Sequence, residues 1–339
     1  VTRAPSTSST RDRIRPDDST ASPTRLEVMN RIGKRRGAMT ADVYTSRALA
    51  PKAAPRHMAV MTGSTLEFAR LDDRAVIAVT GEDWRSFLQS LLTQDVETLA
   101  PGELRFGALL TPQGRLLYDL FLLGRDDGCW LDCAAERRDD LVTRLTIYRL
   151  RAKVTVEAMD AGVFAAWGGD TPPEGWVRDP RLPALGFRHY GTLDVETRLD
   201  ADAYDAHRLA VGVPGAADWG SDATYPIEAN FDLLHGIDFR KGCFVGQETT
   251  SRMKRRGTIK SRMAPIAVEG AAVKPGAELL AGDLRAGEVL SVVGGAAMAL
   301  LRLDRLTAGP LTFAEGGRWR PEIPAWLEAA TKSSTPLPS

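Results

Sequence analysis

The chain has 339 residues, 43% hydrophobic and 26% charged, with 44 acidic and 44 basic side chains. That length exceeds one small core and calls for two or three subdomains, and no uncharged apolar run reaches the ~18 residues of a membrane span. Three cysteines are too few for a disulfide framework and one short of the usual four that hold an iron–sulfur cluster, which points to a reducing compartment, most simply the cytoplasm.

The neutral total hides an asymmetry. Residues 1–60 hold 12 Lys/Arg against 5 Asp/Glu, leaving 32 and 39 for residues 61–339. The first sixty are rich in Ser, Thr, Pro and Arg, bury too little apolar surface to offset their ordering entropy, and are expected to be disordered. They read as an extension ahead of a start at Met58 or Met61. Their Arg and Ser content resembles a mitochondrial transit peptide, which keeps the matrix as an alternative, although Asp12, Asp17, Asp18, Glu27 and Asp42 argue against one.

Order is expected from residue 64. "TLEFARL" and "RAVIAVTG" read as strands joined by Asp72-Asp73. Trp84, Phe87, Leu88, Leu91 and Leu92 fall at i, i+3, i+4, i+7 and i+8, an amphipathic helix. "LRFGALLT" and "RLLYDLFLLG" flank Pro112-Gln113-Gly114 as a hairpin. "GCWLDCA" is a strand whose alternation sets Cys129 and Cys133 on one face. "ERRDDLVTRLTIYRL" is a second helix and "AKVTVEAM" a returning strand, giving an α+β unit over 64–158 with mainly antiparallel pairing. A second α+β region spans 159–257: Gly- and Pro-rich short strands, a helix "DADAYDAHRLAVGVP" ended by Pro214, a short helix around Phe231–Leu234, and a helix from Gly246 to Arg256 capped by Gly257. Closely spaced short strands with Gly turns over 258–322 read as a small barrel and 323–339 as a tail, whose terminal "TKSSTPLPS" is expected to fray.

The histidines His57, His189, His207 and His235 form no HxH or HxxxH pair, and Cys129-x3-Cys133 lacks a second ligand pair, so no metal site is expected. Neither GxGxxG nor GxxxxGK[ST] occurs, which excludes the usual nucleotide cradles. Arg252, Lys254, Arg255, Arg256, Lys260 and Arg262 place six cations in eleven residues. They suit either phosphate binding, tRNA included, or the solvated end of a helix. Cys243 sits between Gly242 and Gly246 beside Lys241, a setting that lowers a thiol pKa; a reactive thiol and a buried core thiol both remain open. A Cys–His nucleophile needs a base, for which His235 is nearest in sequence.

"KGCFVGQE" resembles the K-G-C-[FY]-x-G-Q-E signature of YgfZ-type folate-binding proteins, members of the glycine-cleavage aminomethyltransferase (T-protein) superfamily that also includes a mitochondrial iron–sulfur assembly relative. "FLQSLLTQDV", "ALLTPQGRLLYDLFLL", "HRLAVGVP" and "YPIEANFDLLHGIDFRKGC" extend the resemblance over about residues 65–320. It implies ferredoxin-like α+β regions with a C-terminal β-barrel, tetrahydrofolate or a one-carbon derivative near a central channel, and a role in maintaining [4Fe–4S] proteins with effects on tRNA-modifying enzymes. Assembly proteins or [4Fe–4S] client enzymes become the implied partners. Cys243 is the implied functional residue, with Lys241 tuning it. Asp119, Arg208, Glu228, Asn230, Gly242, Gly246, Gln247, Glu248 and Arg252 are the candidate folate contacts, Asp238 being a further pterin partner. Two departures argue against glycine cleavage, leaving one-carbon or aminomethyl transfer as the enzymatic alternative. Tyr118-Asp119 stands where the transferase has paired acids, and Ala210 stands where it has a pterin-binding Glu.

Overall fold

The computed structural model describes residues 66–193, 199–257, 259–270, 272–293 and 295–332. The disorder expected of residues 1–60 and most of the fraying tail lie outside these. Among the described residues no helix is long and apolar enough to cross a membrane.

Chain order gives β1 (Glu67–Arg70), β2 (Arg74–Thr80), α1 (Trp84–Leu91), β3 (Leu104–Leu110), β4 (Leu116–Gly124), β5 (Gly128–Ala134), α2 (Arg138–Arg149) and β6 (Thr155–Met159). Five of these strands make one antiparallel sheet in the order β3-β4-β5-β2-β6. β4 is buried along its whole length, which explains its near-continuous apolar run. Leu120 and Leu122 face a core shared with α1, α2, Cys129 and Cys133, while Phe121 and Leu123 face a second core on the opposite side. This is the period-two alternation of a strand covered on both faces. Each such fully buried Leu or Phe contributes about 1.5–3 kcal/mol.

The strands joined by Asp72-Asp73 do not pair with each other. β1 pairs with β7 (Gly162–Trp167) in a second sheet, which adds β8 (Val177–Arg178) and β9 (Phe187–Gly191) in the order β1-β7-β9-β8. The turn at Asp72-Asp73 therefore hands the chain from one sheet to the other. Helix α3 (Ala201–Ala210) starts on Asp200, whose carboxylate accepts from Ala203 N at 3.1 Å, and a single turn α4 (Ala216–Trp219) follows. The helix expected around Phe231–Leu234 is instead a series of turns. Asn230 (φ 63°) and His235 (φ 57°) both take left-handed backbone there, which an α-helix does not accommodate. α5 (Gln247–Arg256) forms as its end signals require, between left-handed Gly246 and Gly257.

From Ser261 the chain closes a barrel of β10 (Ser261–Glu269), β11 (Glu278–Ala281), β12 (Leu284–Val293), β13 (Ala296–Arg302), β14 (Leu311–Phe313) and β15 (Arg318–Pro321), ordered β10-β13-β12-β11-β14-β15. Closure removes sheet edges, and Ile266, Leu279, Val289, Leu301, Phe313 and Trp319 belong to its buried core. A last helix, α6 (Ala325–Lys332), has no counterpart in the sequence reading. It adds Leu327 to the barrel core, and Trp326 Nε1 donates to Val211 O at 3.1 Å. The architecture is the expected mixed α+β fold with a C-terminal barrel.

Candidate functional site

Two places gather the chemistry-bearing residues. The first lies between the two sheets. Arg74 donates to Asp119 Oδ2 at 2.7 Å and to Asp132 Oδ1 at 2.6 Å. Arg188 links Asp132 (2.8 Å) to Asp179 (3.1 Å), and Arg181 grips Asp179 at 3.0 and 2.8 Å. Tyr190 and Tyr204 hydroxyls complete the set at Asp132 and Arg181. Arg188, Arg181 and Arg74 also lie 3.7, 4.8 and 5.6 Å from the centre of the Phe121 ring, so cation–π attraction adds to the ion pairs. Three guanidiniums and three carboxylates balance in charge, as burial demands. Burial alone would raise the Asp179 pKa, but Arg181 and Arg188 outweigh it and bring it to about 2. Burial likewise opposes the charge on Arg74, yet Asp119 and Asp132 hold it above its ordinary value.

A cavity of about 100 Å³ opens beside this lattice, lined by Asp119, Arg208, Asp205 and Trp219 among others. Asp119 and Arg208, two of the candidate folate contacts, both line it. Both are already engaged, Asp119 by Arg74 and Arg208 by Asp205 (2.8 Å), Val213 O (2.6 Å) and Asp218 (3.3 Å). Sites for small molecules run to about 300–1,000 Å³. This cavity is smaller than that range.

The remaining candidate contacts lie elsewhere and have other tasks. Glu228 accepts from Tyr225 N at 3.1 Å, and burial raises its pKa. Asn230, fully buried, donates to Met263 O and accepts from Arg262. Asp238 accepts from Arg240 N at 2.8 Å. Arg262, counted above in a basic run, is buried in a two-pronged pair with Asp232 at 2.9 Å. It therefore leaves the exposed cations.

The second place is the loop from His235 to Gly246. Cys243 is exposed on it, which excludes the core-thiol reading. The loop is held by the segment after α1. Thr93 Oγ1 donates to Gly236 O (2.7 Å), Gln94 Nε2 to His235 O (2.6 Å), and Asp238 N to Thr93 O (3.0 Å). Lys241 Nζ donates to Gln89 O, Leu92 O and Gln94 O at 2.7, 2.6 and 3.0 Å. α1 has no basic residue in its last turn, so Lys241 supplies the cation that its carbonyl end favours. Lys241, expected to tune the cysteine, thus also has an anchoring task, its ammonium donating to three carbonyls. Burial lowers its pKa to about 8 against the pull of Asp95 and Asp238, so it is charged at neutral pH. At the other end of the loop, a Cβ on Gly246 would sit 2.6 Å from Thr111 O and 2.9 Å from Gly114 Cα, which seats the motif against the β3–β4 turn. Gln247 and Glu248 open α5, and Arg252 lies exposed on it. His235 does not hydrogen-bond Cys243 among the described residues, and His189 and His207 bond backbone carbonyls elsewhere. No Cys–His pair is assembled, and no group of three or more metal-ligating side chains occurs among the described residues.

Sequence reasoning missed the lattice. Its signal was a carboxylate within each of two apolar strands, Asp119 in "LLYDLFLLG" and Asp132 in "GCWLDCA".

The fold and site place the chain among proteins of aminomethyltransferase architecture. It resembles the solved glycine cleavage system aminomethyltransferase T from Bartonella henselae with a TM-score of 0.59 at 19% identity, over 70% of this chain and 78% of that one. Residues 260–329 match the CAF17 C-terminal beta-barrel domain. The human mitochondrial iron–sulfur cluster assembly factor IBA57 is 30% identical over 312 residues, 78% of this chain and 86% of the relative. The Mycosarcoma maydis homologue is 34% identical over 248 residues, 64% and 61% of the two chains. The chain belongs to the IBA57 family of iron–sulfur cluster assembly factors.

Proposed function

We propose that this protein acts in iron–sulfur cluster assembly as an accessory factor that presents the Cys243 thiol to a second protein. The observation that carries this reading is the exposure of Cys243 on a loop pinned at both ends, in a chain whose relatives are named assembly factors. Cys129 and Cys133 are buried, so any thiolate contact with a cluster goes through Cys243. One thiolate does not hold a cluster, and the other ligands come from the partner. [4Fe–4S] enzymes are the proposed clients, with tRNA-modifying members affected downstream.

Folate enters this reading as a ligand to be tested. Asp119 is paired with Arg74 and position 210 is an alanine, so the carboxylate set of the transferase is not reproduced. Calorimetry with tetrahydrofolate is expected to give no saturable heat. The compartment is a reducing one; the mitochondrial names of the relatives agree with the matrix alternative and lend no support to the cytoplasm.

The deciding experiment is complementation of cells that lack the factor. Cys243→Ala is expected to accumulate at wild-type level with unchanged melting and to leave [4Fe–4S] enzyme activity at the level of the deletion. Restored activity sinks the role assigned to the thiol.

A further inference from the structure

Residues 61–339 carry an acidic excess of seven, 39 against 32, yet one face runs against that balance. Helix α5 turns Thr250 and Met253 inward, and leaves Arg252, Lys254, Arg255 and Arg256 exposed. The loop beside it adds Arg240, whose side chain is 93% exposed, and Phe239, an exposed aromatic with the Lys254 ammonium 5.2 Å from its ring centre. That contact joins loop and helix into one surface about 15 Å long, the length of a ten-residue helix. Over residues 238–257 its acids are Asp238, which pairs with Arg240 at 3.7 Å, and Glu248. Lys254 also lies 3.8 Å from Asp232, which leaves Arg252, Arg255 and Arg256 as the cations with unspent charge beside an apolar anchor, the composition found where proteins dock.

We propose that this face is a docking surface for an acidic protein. The occupant follows from the charge. A long polyanion such as RNA meets the acidic excess of residues 61–339 and finds few phosphate contacts on so short a patch. A folded partner with a local acidic patch meets the cations alone. That partner's place in cluster assembly rests on the function proposed above; its acidity does not.

Cys243 lies on the same loop and serves as reporter, since Cys129 and Cys133 are buried. The probes are three short peptides, each carrying one cysteine as a mixed disulfide with thiopyridine and flanked by glutamates, glycines or lysines. The Cys243 thiolate attacks the peptide sulfur, a new S–S bond forms, and pyridine-2-thiolate leaves with the electron pair of the broken bond. Its release gives the rate. In low salt the acidic peptide is expected to react about tenfold faster than the neutral one and the lysine peptide slower still, as steering predicts. The spread should collapse at high salt. R240E/R252E/R255E should reverse the order at an unchanged melting temperature, and the milder glutamine triple should abolish it if the reversal unfolds the chain. Equal rates for the three peptides overturn the proposal. So does tight, salt-dependent binding of a short single-stranded RNA without any peptide preference, which assigns the face to nucleic acid. Failure of complementation by Cys243→Ala, by contrast, bears on the assembly role and leaves these rates untouched.

Discussion

Lys241 Nζ donates to Leu92 O at 2.6 Å across 149 residues of sequence. Two motifs that look independent, "LLTQD" and "KGCFVGQE", are the two halves of this clasp. The first presents carbonyls at a helix end that has no nearby cation, and the second supplies the ammonium and then turns Cys243 outward.

Lys241→Met keeps the stem and removes the charge, leaving three carbonyls without their donor. A loss of about 1.5–3 kcal/mol is expected, seen as a lower midpoint in urea. Limited proteolysis between residues 236 and 246 should quicken by more than the global loss explains. An unchanged midpoint and cleavage rate would contradict the anchoring role.

The three cysteines should separate cleanly by reactivity. Burial pushes the Cys133 thiol up to about 12 and Cys129 higher still, so neither offers thiolate at neutral pH. A thiol reagent is expected to count one cysteine in the native protein and three in denaturant. Cys243→Ser should bring the native count to zero.

Acid should weaken the link between the sheets. Asp179 has a folded pKa of about 2 against an ordinary 3.8. It stabilises the fold above pH 3.8, and that contribution, about 2 kcal/mol, is lost as pH falls from 3.8 through 2. Asp179→Asn removes this dependence. At neutral pH it should cost about 3–5 kcal/mol, because Arg181 and Arg188 lose a buried partner. Equal acid sensitivity in variant and wild type would assign the effect to other carboxylates.

Gly246 combines φ of +80° with no room for a Cβ beside Thr111 O. Gly246→Ala should cost about 3 kcal/mol from strain and overlap together, whereas Gly242→Ala meets nothing within 4 Å and should be nearly neutral. Thermal melts of the pair make the comparison, and equal costs would refute it.

Local signals carried much of the fold. Apolar spacing marked α1, and glycines bracketing a charge-graded segment marked α5, because caps and dipoles act within a few residues. The turn segment at Phe231–Leu234 was misread as helix. Its apolar residues are spaced for a helix, but left-handed Asn230 and His235 flank them, and the Asn230 side chain bonds Met263 O, 33 residues on.

The same division holds for the site. Composition and the eight-residue motif by themselves determined that Cys243 is set apart from the other two cysteines and that a cationic helix follows it. Those features are properties of neighbours in the chain. Tertiary structure alone decided that Lys241 clasps α1, that Arg262 is spent on Asp232, and that Asp119 belongs to a lattice between two sheets. The physical reason is that a buried charge must be paired or hydrogen-bonded by whatever opposite charge or carbonyl oxygen the fold brings within about 3 Å. Those partners lie 30 to about 150 residues away, beyond the reach of any local pattern.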